Sequence, residues 1–429
     1  MNNFGILFFS TSQLGGILDI GYTSEQSEII TDLLYVFDAK FDVDKQEVSV
    51  DYKQKYTTLF QARLKVFIEK YKSVLPSVQK LGARFGKLEQ DEWFFILPPI
   101  ELNTKQKYNL EEELDILNGR KSSLNEEQLQ KFFGDVLDNY EIITFDLDKD
   151  KKIKIGEGQK NKRICRFCQR GISDVSFTQE AHAISEALGN KKLILNEECD
   201  NCNKFFDENI ERDFIYYHDL ARTMFGIKNK KNEVPEMKGI DFHFYQSNEN
   251  NLSIAVVSDS ISGEKSGTPE STVFRTGNKI KIQNIYKTLC KFSLSVIGSE
   301  HVSHFCETIR WIKDEKEATA LPKIAVLNSY DFFTKRPELN LYLRNNNNKK
   351  LPYLVGEFRF TFYMYIFIVP FSDKDSRDFL SEEDYEDFLN CFNHVKSKEG
   401  FEYIDFSQNV ERELSFNINF EKEKTDKIL

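Results

Sequence analysis

Two short cysteine pairs decide the fold of the middle of this chain. Residues 165–168 read CRFC and residues 199–203 read CDNCN, with thirty residues between the pairs. Each pair places two thiols on one tight turn, and four thiolates in a closed tetrahedral set are typical ligands of structural zinc. A disulfide within each pair is the alternative, which a reducing compartment disfavours. The predicted Zn²⁺ ligands are Cys165, Cys168, Cys199 and Cys202.

The segment between the pairs carries a second motif. Residues 180–198 read EAHAISEALGNKKLILNEE, with a single histidine, His182, and an asparagine, Asn196, fourteen residues later. A further asparagine, Asn203, directly follows the second pair. A lone histidine is more often a structural residue than a base, but His182 lies between two pairs that a metal would clamp. This placement favours catalysis.

These residues resemble the HNH endonuclease family, in particular its four-cysteine zinc branch. The resemblance covers residues 160–240 of the 429. It implies a ββα-metal fold with a treble-clef-like zinc site and hydrolysis of DNA phosphodiester bonds. It further implies that His182 is the general base and that Asn196 holds the catalytic loop by hydrogen bonding to its backbone. Asn203 would bind a catalytic divalent ion, Mg²⁺ or Mn²⁺.

The sequence leaves several candidates for the second protein ligand of that catalytic ion. The family commonly has an acidic residue or histidine just before the base, and here the position is Ala181. Glu180 is one replacement, although a shift of one residue along a strand points a side chain to the opposite face. Glu211, about two helical turns beyond Asn203, is another, and Glu186 is a third and weaker one. Each of these acids is alternatively an ordinary solvated group.

The charge distribution bears on a nucleic-acid partner. The net charge of −11 argues against one, because phosphate binding needs local Lys and Arg. Residues 151–241, however, contain 17 Lys and Arg against 15 Asp and Glu, a net +2, so the remainder carries −13. The expected partner is DNA, duplex or branched, with RNA not excluded. The predicted phosphate contacts, alternatively solvated loop residues, are Arg212, Arg222, Lys228, Lys230, Lys231 and Lys238.

Hydrophobic periodicity and turn signals predict an α+β chain with three regions. The nuclease-like region spans 156–245, between an N-terminal α+β region, 1–155, and a C-terminal one, 246–429, which is a candidate for DNA or partner binding. The main predicted elements are helices at Tyr56–Leu75, Ser123–Leu137, Lys279–Trp311 and Glu382–Val395, the last capped by Ser381, and a strand at Phe358–Val369.

The remaining signals concern location and role. Residues 1–10 have no basic start or cleavage site of a signal peptide, and the longest apolar run, 360–369, is too short for a membrane helix. A cytoplasmic protein with no membrane association is expected. The flanks suggest a regulatory protein partner or a homo-oligomer, and the layout is similar to bacterial restriction or anti-phage effectors. The alternative is a zinc-dependent DNA-binding or scaffold module that has lost catalysis, motivated by Ala181 and the acidic flanks.

Overall fold

A computed structural model shows two compact units, Met1–Asp138 and Asn139–Leu429. Both contain helices and mostly antiparallel strands, which confirms the predicted α+β class. The predicted division at residues 155 and 245 stays a prediction. Most of the predicted helix Ser123–Leu137 lies outside the described residues. The structure describes residues 2–11, 13–22, 28–42, 47–75, 78–99, 102, 104–120, 133–145, 152–229, 232–240, 242–248, 251–256 and 271–419.

The first unit contains a four-stranded antiparallel sheet in the order β2-β1-β6-β5 and a small β3-β4 ribbon. Its strands are β1 (Asn2–Ser10), β2 (Gln13–Tyr22), β3 (Lys40–Asp42), β4 (Glu47–Ser49), β5 (Lys53–Lys55) and β6 (Trp93–Leu97). Its helices are α1 (Glu28–Val36), α2 (Thr58–Tyr71), α3 (Gln79–Phe85) and α4 (Thr104–Leu117). Strand β1 is buried on both faces, because Phe8 packs on α1 to α3 and Phe9 packs on α4.

The second unit contains a six-stranded antiparallel sheet in the order β18-β14-β17-β16-β15-β7. A short helix, α5 (Val136–Asn139), spans the boundary between the units along the sequence. The strands are β7 (Tyr140–Ile143), β8 (Ile153–Ile155), β9 (Leu193–Leu195), β10 (Met237–Lys238), β11 (Phe242–Asn248), β12 (Asn251–Val256), β13 (Ser271–Lys281), β14 (Ile324–Asn328), β15 (Thr334–Arg344), β16 (Leu354–Thr361), β17 (Tyr363–Ile368), β18 (Glu402–Ile404) and β19 (Glu411–Asn419). The helices are α6 (Asp200–Phe206), α7 (Arg212–Tyr217), α8 (Asp219–Met224), α9 (Gln283–Val296), α10 (Ser299–Val302), α11 (Cys306–Ile312), α12 (Glu382–Cys391) and α13 (Asn393–Lys396).

Helix α9 is the centre of the second unit. Every one of its residues is buried, including two lysines. Its Phe292 ring packs against Phe358 of the large sheet and against Phe214 of α7, and those two rings also contact each other. The cysteine-containing segment and the region after it therefore share one hydrophobic cluster.

Three predicted elements differ from the observed ones, and one of them is the predicted helix Glu382–Val395, which is interrupted at Phe392 between α12 and α13. The predicted helix Lys279–Trp311 begins as the end of β13, and it is interrupted at Gly298 between α9 and α10. The predicted strand Phe358–Val369 is a tight hairpin of β16 and β17, which turns at Thr361 with φ of 55°. A β-branched residue is a rare choice at positive φ, so no turn signal marks the hairpin. The cap of α12 is confirmed, because Ser381 Oγ accepts from the Asp384 N–H at 3.1 Å.

A buried histidine makes the second unit sensitive to acid. His218 Nδ1 lies 2.9 Å from the Phe214 carbonyl oxygen, and Nε2 lies 2.9 Å from the Tyr365 hydroxyl. A carbonyl oxygen accepts only, so Nδ1–H donates and Nε2 accepts from the tyrosine, which is the neutral form. Burial lowers the pKa of His218 from 6.5 to about 4.

We therefore predict that the contribution of His218 to stability is lost as the pH falls below 6.5, while buried carboxyls with raised pKa values, such as Glu198, act in the opposite direction. The unfolded chain binds a proton at His218 there, while the folded chain resists protonation until about pH 4. Between pH 7.5 and 5.5 the loss from this group is about 1.3 kcal/mol. Denaturant unfolding of the wild type, His218→Phe and the exposed-site control His243→Ala measures it. The predicted loss is the difference between wild type and His218→Phe, and the same pH dependence in both would contradict the assignment.

Candidate active site

The four paired cysteines converge on one point. Their Sγ atoms all lie within 4.8 Å of one another, and those of Cys168 and Cys199 are 3.7 Å apart. Tetrahedral zinc with Zn–S bonds of about 2.3 Å separates its sulfurs by about 3.8 Å, so these residues fit the ion. Hydrogen bonds from the Cys202 thiol and from backbone N–H groups lower the pKa of Cys165 to about 5, although burial opposes this. One thiolate is therefore favoured before a metal binds, at Cys165, whereas burial raises the pKa of Cys199 to about 11.

A short hairpin and a helix carry the site. The N–H of Ala183 donates to the Leu193 carbonyl at 3.0 Å and the N–H of Leu195 to the Ala181 carbonyl at 2.8 Å, which pairs this segment with β9. His182 is bridged to Ile194 on the face opposite the buried Leu193 and Leu195. Helix α6 begins directly after Cys199, so the second cysteine turn fixes the helix to the hairpin. The order is ββα.

One cleft of about 510 Å³ brings most of the predicted catalytic residues together. His182 and Asn203 both line it, and the His182 side chain is 16% exposed, so solvent reaches an imidazole that is otherwise packed. The Asn203 amide donates to Gln179 Oε1 at 3.3 Å. The carboxylates of the cleft come from the hairpin, α6 and the following π turn, and they are Glu180, Glu186, Asp200, Asp207, Glu208 and Glu211.

The structure shows how the segment around Ala181 is oriented. Ala181 is 2% exposed, whereas its neighbours Glu180 and His182 both line the cleft. Side chains two residues apart share a strand face, so Glu180 reaches the site with no shift of the strand. Glu180 forms an ion pair with Lys152, whose hydrogen bond lowers the pKa of this carboxyl.

The other two candidate carboxylates have different surroundings. Glu211 lies at the end of the π turn Asp207–Glu211, an irregularity that is frequent at functional sites. Its Oε1 is 2.8 Å from Lys291 Nζ, and its side chain is 8% exposed. Glu186 Oε2 lies 4.0 Å from His182 Nδ1. Both line the same cleft, so the distances leave Glu180, Glu186 and Glu211 as candidates.

Asp200 has a structural task within the cleft. Burial would raise its pKa, but hydrogen bonds from Ser176, Thr178 and Gln179 hold the pKa of Asp200 at about 2. These donors include the backbone N–H groups of Thr178 and Gln179, at 3.0 and 2.9 Å. Its carboxylate thus fixes the loop that leads into the hairpin to the start of α6.

The comparison with protein families agrees with this geometry. The family model for HNH endonuclease matches residues 165–217, which hold the cysteine cluster, the hairpin and the helices that line the cleft. The chain therefore carries an HNH endonuclease module. The module indicates a nuclease in general and a nucleic-acid substrate. A search of curated proteins and a search of solved structures each find no match to the chain. Within the described ranges, no helix is long and apolar enough to cross a membrane.

Asn190 holds the loop between His182 and β9, whereas Asn196, the residue predicted to hold the catalytic loop, bonds elsewhere. The buried Asn190 amide donates to the carbonyls of Ile184 and Leu193, at 2.7 and 3.2 Å, and its Oδ1 accepts from the N–H groups of Lys192 and Leu193. Asn196 lies beyond β9, where its Oδ1 instead accepts from Arg163 at 3.0 Å. In the sequence, the one signal for this role of Asn190 is that it directly follows the Leu188-Gly189 turn.

This reassignment predicts different effects for two asparagine variants. Asn190→Ala leaves buried backbone groups of the loop without partners, which costs about 1–3 kcal/mol. We expect it to lower both the stability and any cleavage rate of the HNH module. Asn196→Ala is the matched control and should leave the loop in place. Thermal unfolding and nuclease assays of both variants test this, and a larger effect of Asn196→Ala on cleavage would reverse the assignment.

The predicted basic contacts are not gathered at the cleft. Arg222 is buried at 4% exposure, donates from Nε to the Ala187 carbonyl and pairs with Asp219. Both contacts support the fold, and Arg222 does not line the cleft. Arg212, Lys228 and Lys238 are exposed but do not line the cleft. Lys230 and Lys231 lie outside the described residues.

A basic residue that sequence reasoning missed lies on the same sheet face as His182. Lys154 of β8 pairs with Ile194 of β9, which in turn is bridged to His182. Paired residues on neighbouring strands place their side chains on one face of a sheet, so Lys154 and His182 share a face. Lys154 is exposed, and Lys152 lies on the same side, bound to Glu180. Both precede the matched segment, which is why the motif did not indicate them.

Proposed function

We propose that this protein is a metal-dependent HNH endonuclease that hydrolyses DNA phosphodiester bonds with His182 as the general base. The observation that carries the proposal is the cleft, in which the His182 imidazole and the Asn203 amide face the same space among carboxylates. The hairpin, the second cysteine turn and α6 carry these residues, and positioning by regular elements is what proton transfer requires.

Two metals with different tasks follow from the donor sets. Four thiolates complete the coordination of zinc and leave no open position, so zinc supports the fold. The oxygen donors of the cleft suit a harder ion, Mg²⁺ or Mn²⁺, held by Asn203 and by Glu180 or Glu211. When bound, that ion offsets the negative charge that grows on the phosphate and the leaving oxygen. His182 removes the proton from the attacking water.

The substrate backbone would approach over the exposed face of the hairpin. Lys154 lies on the His182 face, and Arg212, Lys228 and Lys238 remain proposed contacts farther out. Lysines at such places neutralise phosphates without reading sequence. Because the cleft itself is rich in carboxylates, binding should depend on the divalent ion and weaken with salt.

A second function, a zinc-dependent DNA-binding or scaffold module without catalysis, is favoured by Ala181, which is buried where the family commonly has a metal ligand. The two functions predict different results with the zinc-loaded full chain and supercoiled plasmid. The nuclease nicks it in Mg²⁺ or Mn²⁺ and leaves 5′-phosphate and 3′-hydroxyl ends, so DNA ligase reseals the nicks. Salt-sensitive binding with no nicking in either ion would support the scaffold. If the protein neither binds nor nicks the plasmid, both functions are rejected.

A role in bacterial restriction or anti-phage defence extends the nuclease proposal. Its support is the presence of large regions outside the match, which suit sensing or a regulatory partner. A thiolate zinc site also suits the reducing cytoplasm where such effectors act. Expression in a bacterial host should lower phage plating efficiency, and the His182→Ala variant should restore it. If the wild type and His182→Ala protect the host equally, defence does not depend on the nuclease centre.

A further inference from the structure

A buried lysine from outside the matched segment reaches the nuclease centre. Lys291 lies on α9, and its side chain is 1% exposed. Its Nζ lies 2.8 Å from Glu211 Oε1 and 3.3 Å from Glu198 Oε2, and it donates to the His182 carbonyl oxygen at 3.4 Å. One ammonium group thus contacts the strand that carries the predicted base, the residue before the zinc turn and the π turn.

Stability alone does not account for this buried triad. A buried ion pair usually stabilises a fold no more than apolar side chains of similar volume, because desolvation offsets the attraction. Glu198, Glu211 and Lys291 nevertheless lie together beneath the cleft, with Glu198 and Lys291 almost fully shielded. Of the two carboxylates, Glu211 lines the cleft. A buried ammonium group beside Glu211 has a function if the cleft needs this carboxylate in a fixed position.

We infer that Lys291 is a positioning residue of the nuclease centre, which holds the Glu211 carboxylate in place as a ligand of the divalent ion. This inference rests on the proposed metal-dependent function and selects Glu211 over Glu180 and Glu186. By its contact with the His182 carbonyl, the same ammonium ties the base to the carboxylate. The region after residue 245 therefore supplies part of the nuclease centre.

The strength of the effect follows from the behaviour of metal sites in general. Groups that orient a metal ligand typically change metal affinity or activity by about 10- to 100-fold when they are removed. Lys291→Met should therefore weaken Mn²⁺ binding by about this factor and raise the Mn²⁺ concentration for half-maximal cleavage in parallel. Excess Mn²⁺ should recover part of the rate.

Helix α9 offers a matched control one turn earlier. Lys287 is equally buried, with a side chain that is 2% exposed, and it forms an ion pair with Asp314, which does not line the cleft. Lys287→Met removes a buried lysine from the same helix without touching Glu211. It should leave Mn²⁺ affinity unchanged even if it lowers the melting temperature.

A double variant separates positioning from folding. Lys291→Met leaves Glu198 and Glu211 buried without their shared cation, and the chain could fail to fold for that reason alone. Lys291→Met combined with Glu198→Gln removes one of the two charges. If Lys291 only balances Glu198, this double variant should bind Mn²⁺ like wild type. If Lys291 positions Glu211, the double variant should keep the weakened affinity.

The test measures Mn²⁺ binding to the zinc-loaded full chain by electron paramagnetic resonance, without DNA, together with plasmid cleavage over a Mn²⁺ titration. We expect affinity to fall about 10- to 100-fold in Lys291→Met and in the double variant, and not in Lys287→Met. Wild-type affinity in the double variant, or equal losses at Lys287 and Lys291, would overturn the inference. If neither the wild type nor any variant cleaves the plasmid, the proposed function is rejected instead. The Mn²⁺ binding measurements would still decide the role of Lys291.

Discussion

Cys202→Ser is expected to release the zinc and to unfold the HNH module, with complete loss of nuclease activity. Structural zinc contributes about 10–16 kcal/mol in small zinc domains, which equals or exceeds the stability of a typical domain. The module depends on it, because Cys165, Cys199 and Cys202 belong to the same buried cluster as Phe206 and α9. Zinc content by mass spectrometry and the thermal unfolding curve measure the effect.

The control for the zinc prediction is Cys306→Ser. Cys306 is exposed and lies outside the four-sulfur cluster, and its thiol donates to the Ser303 carbonyl at 3.1 Å. This variant should keep one zinc per chain and an unchanged melting temperature. Retention of stoichiometric zinc by Cys202→Ser, with normal unfolding, would show that the cluster is not a zinc site.

His182→Ala is expected to reduce the cleavage rate by about 10²- to 10⁴-fold, the usual contribution of a general base. The side chain faces the cleft and is only 16% exposed, while the hairpin is held by backbone hydrogen bonds and by Asn190. Its removal should therefore leave the fold and the zinc intact. The rate is measured under single-turnover conditions on a labelled duplex with saturating Mn²⁺.

Other histidines of the chain provide the comparison for His182. His243→Ala changes an exposed residue on β11 that pairs with Glu236, away from the cleft, and should cleave at the wild-type rate. The zinc content and circular dichroism of both variants should equal those of wild type. Undiminished cleavage by a folded, zinc-loaded His182→Ala protein would remove the histidine from the mechanism.

Features set by short stretches of sequence were predictable. The cysteine pairs specify their own turns, and the cap of α12 needs only Ser381 and the first turn of its helix. The location of His182 at the cleft was also predictable, because His182 lies between the two cysteine pairs in sequence. The four sulfurs come from two pairs that are distant in sequence, but each pair forms its own local turn. The spacing within the pairs was therefore sufficient to predict the cluster.

Features set by tertiary packing were not predictable. Ile282, Ile285 and Leu289 recur at helical spacing, and Ile280 was taken as an extension of that pattern, so the end of β13 was mistaken for helix. Asn190 and Asn196 are six residues apart in one short segment, and only the path of the loop decides which amide faces its backbone. Lys291 lies about 75 residues beyond the match, and only the packing of α9 brings it to Glu211. No local pattern records such a contact.

The most direct test of the central claim, that the cleft is a divalent-metal nuclease centre, is anomalous X-ray scattering from crystals soaked in Mn²⁺. We predict zinc scattering at the four cysteines and one manganese peak in the cleft, in contact with Asn203 and Glu211 on the side where His182 lies. A manganese site elsewhere, or none in the cleft of a protein that cleaves DNA in Mn²⁺, would contradict this account.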